Sequence, residues 1–138
     1  MQNQQSILII DDSSHVRFLL LRMLNRLGFI TVDSADDGII GLEKVHASPP
    51  DLIFLDGIMP GKDGLAVLKE VKQCFPEIVV IMSTSLTERE KIFEYKNSGA
   101  DFYLLKPFED TKLKEILSRA IPLISQRKQE VHYAVSSV

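Results

Sequence analysis

Four short apolar runs in this chain each end on a residue able to do chemistry. Ile7-Leu8-Ile9-Ile10 stops at Asp11-Asp12, Leu52-Ile53-Phe54-Leu55 at Asp56, Ile78 to Met82 at Ser83-Thr84, and Phe102 to Leu105 at Lys106. Continuous apolar runs of this length suit the buried strands of a parallel sheet, whose carboxyl ends share one edge. Three carboxylates, a hydroxyl and an ammonium then meet in one crevice. A carboxylate can attack an activated phosphorus to give an acyl phosphate, and Asp56 at its strand end is the candidate nucleophile. Crowding Asp11, Asp12 and Asp56 together raises at least one carboxylate pKa and repels an incoming phosphoryl group. A hard oxygen-binding cation removes that obstacle, and Mg²⁺ favours one or two carboxylates together with phosphate oxygens and water. Phosphoryl transfer needs positioning and neutralisation of the moving oxygens, roles that fit Thr84 and Lys106.

The elements that must position these groups alternate along the chain. Ser13 and Ser14 are N-cap types, and Val16, Leu20, Met23, Leu24 and Leu27 then mark one face of a first helix, ended by Gly28. Phe29 to Asp33 reads as a second strand, and a helix from about Asp37 to Ala47 carries Ile40 and Val45 inward until Ser48-Pro49-Pro50 ends it. The glycine-rich loop Gly57 to Gly64 precedes a third helix with Leu65, Leu68, Val71 and Lys72, and Asp63-Gly64 reads as turn chemistry before it. Thr87 with Glu90 reads as the capping box of a fourth helix bearing Ile92 and Tyr95, stopped by Asn97-Ser98-Gly99. A fifth helix begins near Glu109-Asp110 and carries Leu113, Ile116, Leu117, Ala120 and Leu123, with Pro122 a point of kinking or ending. Five strands alternating with five helices imply right-handed crossovers and a doubly wound α/β sandwich.

With 138 residues, 45% hydrophobic and 25% charged, the chain is one globular domain large enough for a real core. A formal charge of -3 supplies no broad basic surface, so direct nucleic-acid binding is not expected. No apolar run approaches the ~20 residues of a spanning helix, and a cytoplasmic location without membrane attachment is expected. Cys74 is a lone thiol assigned to helix packing. His15, His46 and His132 lack metal-ligand spacing and are read as solvated or capping groups, and Gln126-Arg127-Lys128 as a solvated helix end.

Asp11-Asp12-Ser13, Leu55-Asp56-Gly57-Ile58-Met59-Pro60 with Asp63-Gly64, Thr84, Gly99-Ala100-Asp101 and Lys106-Pro107-Phe108 together resemble the receiver domains of bacterial two-component response regulators. The likeness spans roughly Ile7 to Ile121, and the order and spacing of the motifs make it specific. It implies a flavodoxin-like (βα)5 sandwich with a parallel five-stranded sheet of order 2-1-3-4-5. The receiver domain is placed at 1–124. Residues 125–138 are left as a C-terminal tail or linker stub that extends the fifth helix, hangs free, or leads elsewhere.

By this resemblance Asp12 and Asp56 bind Mg²⁺ directly, Asp11 partly through water, and the backbone carbonyl of Ile58 completes the set. Asp56 is the phosphoacceptor. Lys106 pairs with the carboxylate before reaction and with a phosphoryl oxygen after it. Thr84 is preferred to Ser83 and Ser85 because its spacing from Lys106 matches the family and Ser83 points to the other side of the strand. Thr84 and Tyr103 are the implied switch pair; the plain alternative for Tyr103 is a half-buried edge residue with its hydroxyl in water. Lys106-Pro107 is implied to be cis. Phe18 and Leu21 on the first helix suggest either a docking patch or scattered surface apolar residues.

The implied function is phosphoacceptance in a phosphorelay, from a sensor histidine kinase or histidine phosphotransfer protein, with output through the face of helix 4, strand 5 and helix 5 to an unknown partner or a phosphorylation-dependent dimer. The protein is then a regulatory phosphoacceptor that assists its own phosphorylation and slow dephosphorylation, not an enzyme. Ile58 and Leu86 offer no acid or amide to activate water, so the phosphorylated state is expected to be long-lived. Two rivals stand beside this: a receiver-like binding module that works without phosphorylation, and an aspartyl-phosphate phosphohydrolase. The second lacks its usual Asp-X-Asp, since Asp56-Gly57-Ile58 has no second acid.

Overall fold

The apolar runs form the strands β1 (Ile7–Ile10), β3 (Leu52–Asp56), β4 (Val79–Thr84) and β5 (Phe102–Leu105), with β2 at Val32–Ala35. In the computed structural model, which describes residues 3–136 apart from the side chains of Leu86 and residues 133–136, all neighbouring strands pair in parallel in the order β2-β1-β3-β4-β5. This is the flavodoxin-like order, with β1, β3 and β4 buried along their whole length.

Helices cover both faces: α1 (Ser14–Arg26), α2 (Gly38–Ala47), α3 (Gly64–Cys74), α4 (Ile92–Asn97) and α5 (Asp110–Ser136). Side-chain caps fix three of the starts. Ser13 accepts from Val16 N–H, Asp37 from Ile40 N–H and Asp63 from Ala66 N–H. The sheet separates two apolar cores. Ile9, Leu24, Phe54, Ile81 and Leu117 fill one beneath α1 and α5, while Ile10, Leu42, Ile53, Leu68 and Tyr95 fill the other beneath α2, α3 and α4.

Several expectations are corrected. The second strand lies later than Phe29 to Asp33, because Gly28 (φ 94°) turns the chain back against α1. Phe29 N–H donates to the Leu24 carbonyl at 3.1 Å and the ring is buried in the first core. In α2, Gly41 packs so close to β1 that a Cβ would sit 2.6 Å from Ile10 Cδ1. That contact turns Leu42 and Val45 inward and leaves Ile40 exposed. Ser85 and Glu88, not Thr87 and Glu90, form the capping box, so a 3-10 turn (Leu86–Lys91) precedes a short α4. Cys74 is exposed at the end of α3. On α1, Phe18 is exposed with the Arg22 guanidinium 5.7 Å over its ring, whereas Leu21 packs on the first core.

Helix α5 neither ends nor frays at Pro122. It runs on to Ser136, with the exposed ring on its outer side and Ala120 and Ile124 buried beneath. Past the proline, Arg127 reaches Asp101 through two guanidinium contacts of 2.6 and 3.1 Å, and Lys128 reaches Asp51 at 2.7 Å. Arg127 is therefore no solvated helix end. Asp101 also accepts from Lys72 at 2.9 Å and from Val80 N–H at 2.9 Å, joining α3, β4 and α5. No described helix is long and apolar enough to cross a membrane.

Candidate functional site

The carboxyl ends of β1, β3 and β5 carry Asp11-Asp12, Asp56 and Lys106 to one edge of the sheet. Lys106 Nζ lies 2.9 Å from Asp11 Oδ2 and 3.2 Å from Asp56 Oδ1. The lysine thus pairs with Asp11 as closely as with the expected Asp56. Asp11 and Asp56 are buried at 2% and 3% exposure, while Asp12 is exposed at the rim. One carboxylate oxygen from each of the three lies within 4.8 Å of the others, the only such trio among the described residues.

Local bonds set the aim of these groups. Ser13 N–H donates to Asp11 Oδ1 at 2.9 Å, and Arg17 Nη1 donates to the Asp11 backbone carbonyl at 2.7 Å. Ile58 N–H donates to Asp56 Oδ1 at 3.3 Å. The glycine-rich loop closes through Gly64 N–H to the Gly57 carbonyl at 3.0 Å and is anchored by buried Met59. Gly57 has a steric reason: a Cβ there would overlap the Tyr95 hydroxyl and Glu88 Oε1. The Lys106–Pro107 peptide is cis.

The charge balance is unfavourable without a cation. Burial, the Asp11 charge and a hydrogen bond shared with Asp12 push the Asp56 carboxyl up from 3.8 to about 7, against the opposing pull of Lys106. Burial works against the Lys106 ammonium, yet Asp11 and Asp56 hold its pKa above the ordinary value. Asp11 Oδ2 is buried and, though beside Lys106 Nζ, accepts no well-directed hydrogen bond. A hard divalent cation fits that oxygen, the neighbouring Asp56 and the open rim at Asp12.

The other implied residues lie on β4, on β5 and in the loop after β3. Thr84 and Ser83 end β4, both 2% exposed. The register sets Ser83 beside Asp56 and Met82 beside Tyr103, so strand alternation puts Thr84 on the Tyr103 face. The Tyr103 hydroxyl is buried without a partner, unlike the water-exposed edge tyrosine of the plain alternative. Ile58 is half exposed, and the side chain of Leu86 is outside the described set. His46 is engaged by Glu70 at 3.0 Å and lies edge-on to Phe75.

Residues 7–118 match the model of the response regulator receiver domain. The chain belongs to that family. Among the relatives of this receiver are sporulation initiation phosphotransferase F of Bacillus subtilis, 36% identical over 88% of this chain and 97% of that protein, and chemotaxis protein CheY of the same organism, 30% identical over 83% and 96%. The crystal structure of NtrX from Brucella abortus in complex with ADP superposes with a TM-score of 0.85 at 30% identity, over 94% of this chain and 30% of that one. The receiver therefore spans under a third of that longer protein.

Arg17, Glu88 with Tyr95, and the Asp101–Arg127 pair escaped the sequence reading. Arg17 stands six residues after Asp11 and the Asp101–Arg127 pair is 26 apart, separations that carry no local signal. For Glu88 a signal existed, since Ser85-X-X-Glu88 is as good a capping box as Thr87-X-X-Glu90.

Proposed function

We propose that this receiver is the phosphoacceptor of a two-component phosphorelay, with Asp56 taking the phosphoryl group from the phosphohistidine of a sensor kinase or phosphotransfer protein. The observation that carries this is the convergence of Lys106 with Asp11 and Asp56 at 2.9 and 3.2 Å beside the exposed Asp12. Asp12, Asp56, Asp11 and the Ile58 carbonyl would hold Mg²⁺, which when bound supplies positive charge to the phosphoryl oxygens.

In the transfer an Asp56 oxygen forms a bond to phosphorus while the phosphorus–nitrogen bond breaks. The imidazole nitrogen keeps the electron pair and takes a proton from water. Lys106, held between two carboxylates, exchanges one for a phosphoryl oxygen, and the Thr84 hydroxyl donates to another. That new bond draws Thr84 and biases Tyr103, which shares its face of the sheet, altering the surface of α4, β5 and α5. Exposed Phe93 and Leu105 on this surface support an output partner or a phosphorylation-dependent dimer there. The family is regulatory, and a phosphotransferase among its relatives supports a relay role, for which the cytoplasm is the proposed location.

Incubation with Mg²⁺ and acetyl phosphate should add one phosphoryl group to the intact mass of the wild type and none to Asp56→Asn. A wild type that gains no mass would favour a phosphorylation-independent binding module. After donor removal the added mass should decay slowly, because Ile58 places no acid or amide beside the acyl phosphate. Rapid loss in Mg²⁺ buffer alone would contradict this.

A further inference from the structure

A buried carboxylate without a cation sits directly behind the acceptor turn. Glu88 is 4% exposed, and among the described residues no lysine, arginine or histidine pairs with it. Its Oε2 accepts from Ser85 N–H at 2.8 Å and from Ser85 Oγ at 3.2 Å, while Oε1 accepts from the Tyr95 hydroxyl at 3.2 Å. Tyr95 is fully buried, and it and Glu88 both press on Gly57, the residue after Asp56. A cap alone needs only the Ser85 bond, and a buried tyrosine clamp on the capping carboxylate is additional.

What the clamp fixes is the Thr84–Ser85 peptide. That unit is planar, so its carbonyl and its N–H turn together. The Thr84 carbonyl accepts from Lys106 N–H at 2.7 Å, and the Ser85 N–H donates to Glu88. Both polar groups of one peptide are therefore held, one from the strand bearing Lys106 and one from Glu88. The Ser85 N–H bond to Glu88 is short at 2.8 Å, and Tyr95 holds the other oxygen, so the Glu88 end of this hold is firm.

We infer that Glu88, steadied by Tyr95, is a positioning residue that sets the aim of the Thr84 hydroxyl at the phosphoryl group. The inference rests on the receiver function proposed above, in which Thr84 donates to a phosphoryl oxygen. Glu88 hydrogen-bonds only to Ser85 and Tyr95 among the described residues, not to the proposed metal ligands or Lys106, so its effect should fall on transfer and not on cation binding.

The test is a double-mutant cycle with acetyl phosphate as donor at saturating Mg²⁺, following intact mass with time. Thr84→Ala should slow phosphorylation by about tenfold or more, the loss of one hydrogen bond to a charged group. Glu88→Ala should slow it by roughly three- to tenfold, and the double variant should be no slower than Thr84→Ala alone. Mg²⁺ affinity should stay within about twofold of wild type in all three. A wild-type rate in Glu88→Ala, a loss that multiplies with that of Thr84→Ala, or a matching loss of Mg²⁺ affinity would overturn the inference. If Glu88→Ala does not fold, Tyr95→Phe in the same cycle decides, with a smaller loss that must vanish in the Thr84→Ala background. Failure of the wild type itself to accept phosphate would sink the phosphoacceptor function instead, so the two failures are distinguishable.

Discussion

Asp56 is held in tension between burial beside Asp11, which disfavours its charge, and Lys106, which favours it. Its native pKa near 7 stands above the ordinary 3.8, so between those values the folded chain binds more protons than the unfolded one. Stability without divalent cation must then fall as pH rises through that window. Asp56→Asn removes the penalty, and at pH 8 it should be more stable than wild type by on the order of 1–3 kcal/mol, with the two converging near pH 4. Urea melts in chelator at both pH values check this. A wild type equal to or more stable than Asp56→Asn at pH 8 would show that Lys106 compensates fully. The same residues were the most legible in the sequence, because each polar group ends an uninterrupted apolar run. The choice between Ser83 and Thr84 was not legible from chemistry alone, since both are buried hydroxyls at one strand end and only register separates them.

Among the elements, α5 shows where local pattern fails. Pro122 is a legitimate stop signal, yet the helix continues because the packing of Ile124 and the ion pairs of Arg127 and Lys128 outweigh one missing backbone bond. Likewise two overlapping capping boxes compete at the start of the fourth helix, and burial of Glu88 against Tyr95 settles the matter. At the first helix the sequence offered Ser13 and Ser14 alike and the structure uses Ser13, while Asp37 and Asp63, read as a helix start and as turn chemistry, prove to be side-chain caps. Burial alone would raise the Asp101 carboxyl, but the Arg127 guanidinium, the Val80 N–H and Lys72 together hold it below its ordinary value. Its contribution to stability is therefore present above pH 3.8 and lost as pH falls through the depressed native value. Arg127→Ala should cost about 1–3 kcal/mol at pH 7, and the deficit should shrink on acidification. Denaturant midpoints at pH 7 and pH 3 measure it, and a deficit independent of pH would assign the cost to lost packing.

At the scale of the molecule, the parallel sheet puts every strand's carboxyl end on one rim, so cation binding there is coupled to the integrity of the whole fold. Mg²⁺ at a hundredfold excess over its dissociation constant should stabilise the protein by about 2.7 kcal/mol. Asp12→Asn, at the exposed position proposed to hold the cation, should abolish most of that gain while changing cation-free stability by under about 0.5 kcal/mol. Thermal melts with and without Mg²⁺ distinguish this from nonspecific screening, for which the variant would respond as the wild type does.

The sheet is also a bulkhead. Ile9 belongs to the compartment beneath α1 and α5, and Ile10, its neighbour in sequence, to the compartment beneath α2 and α3. Trimming each to valine should cost about 0.5–1.5 kcal/mol. The double variant should lose the sum to within about 0.5 kcal/mol, although the two residues are joined by a single peptide bond. Flooding one hold leaves the other dry, so packing beneath the α1 side can drift without disturbing the compartment that houses Tyr95 and Tyr103.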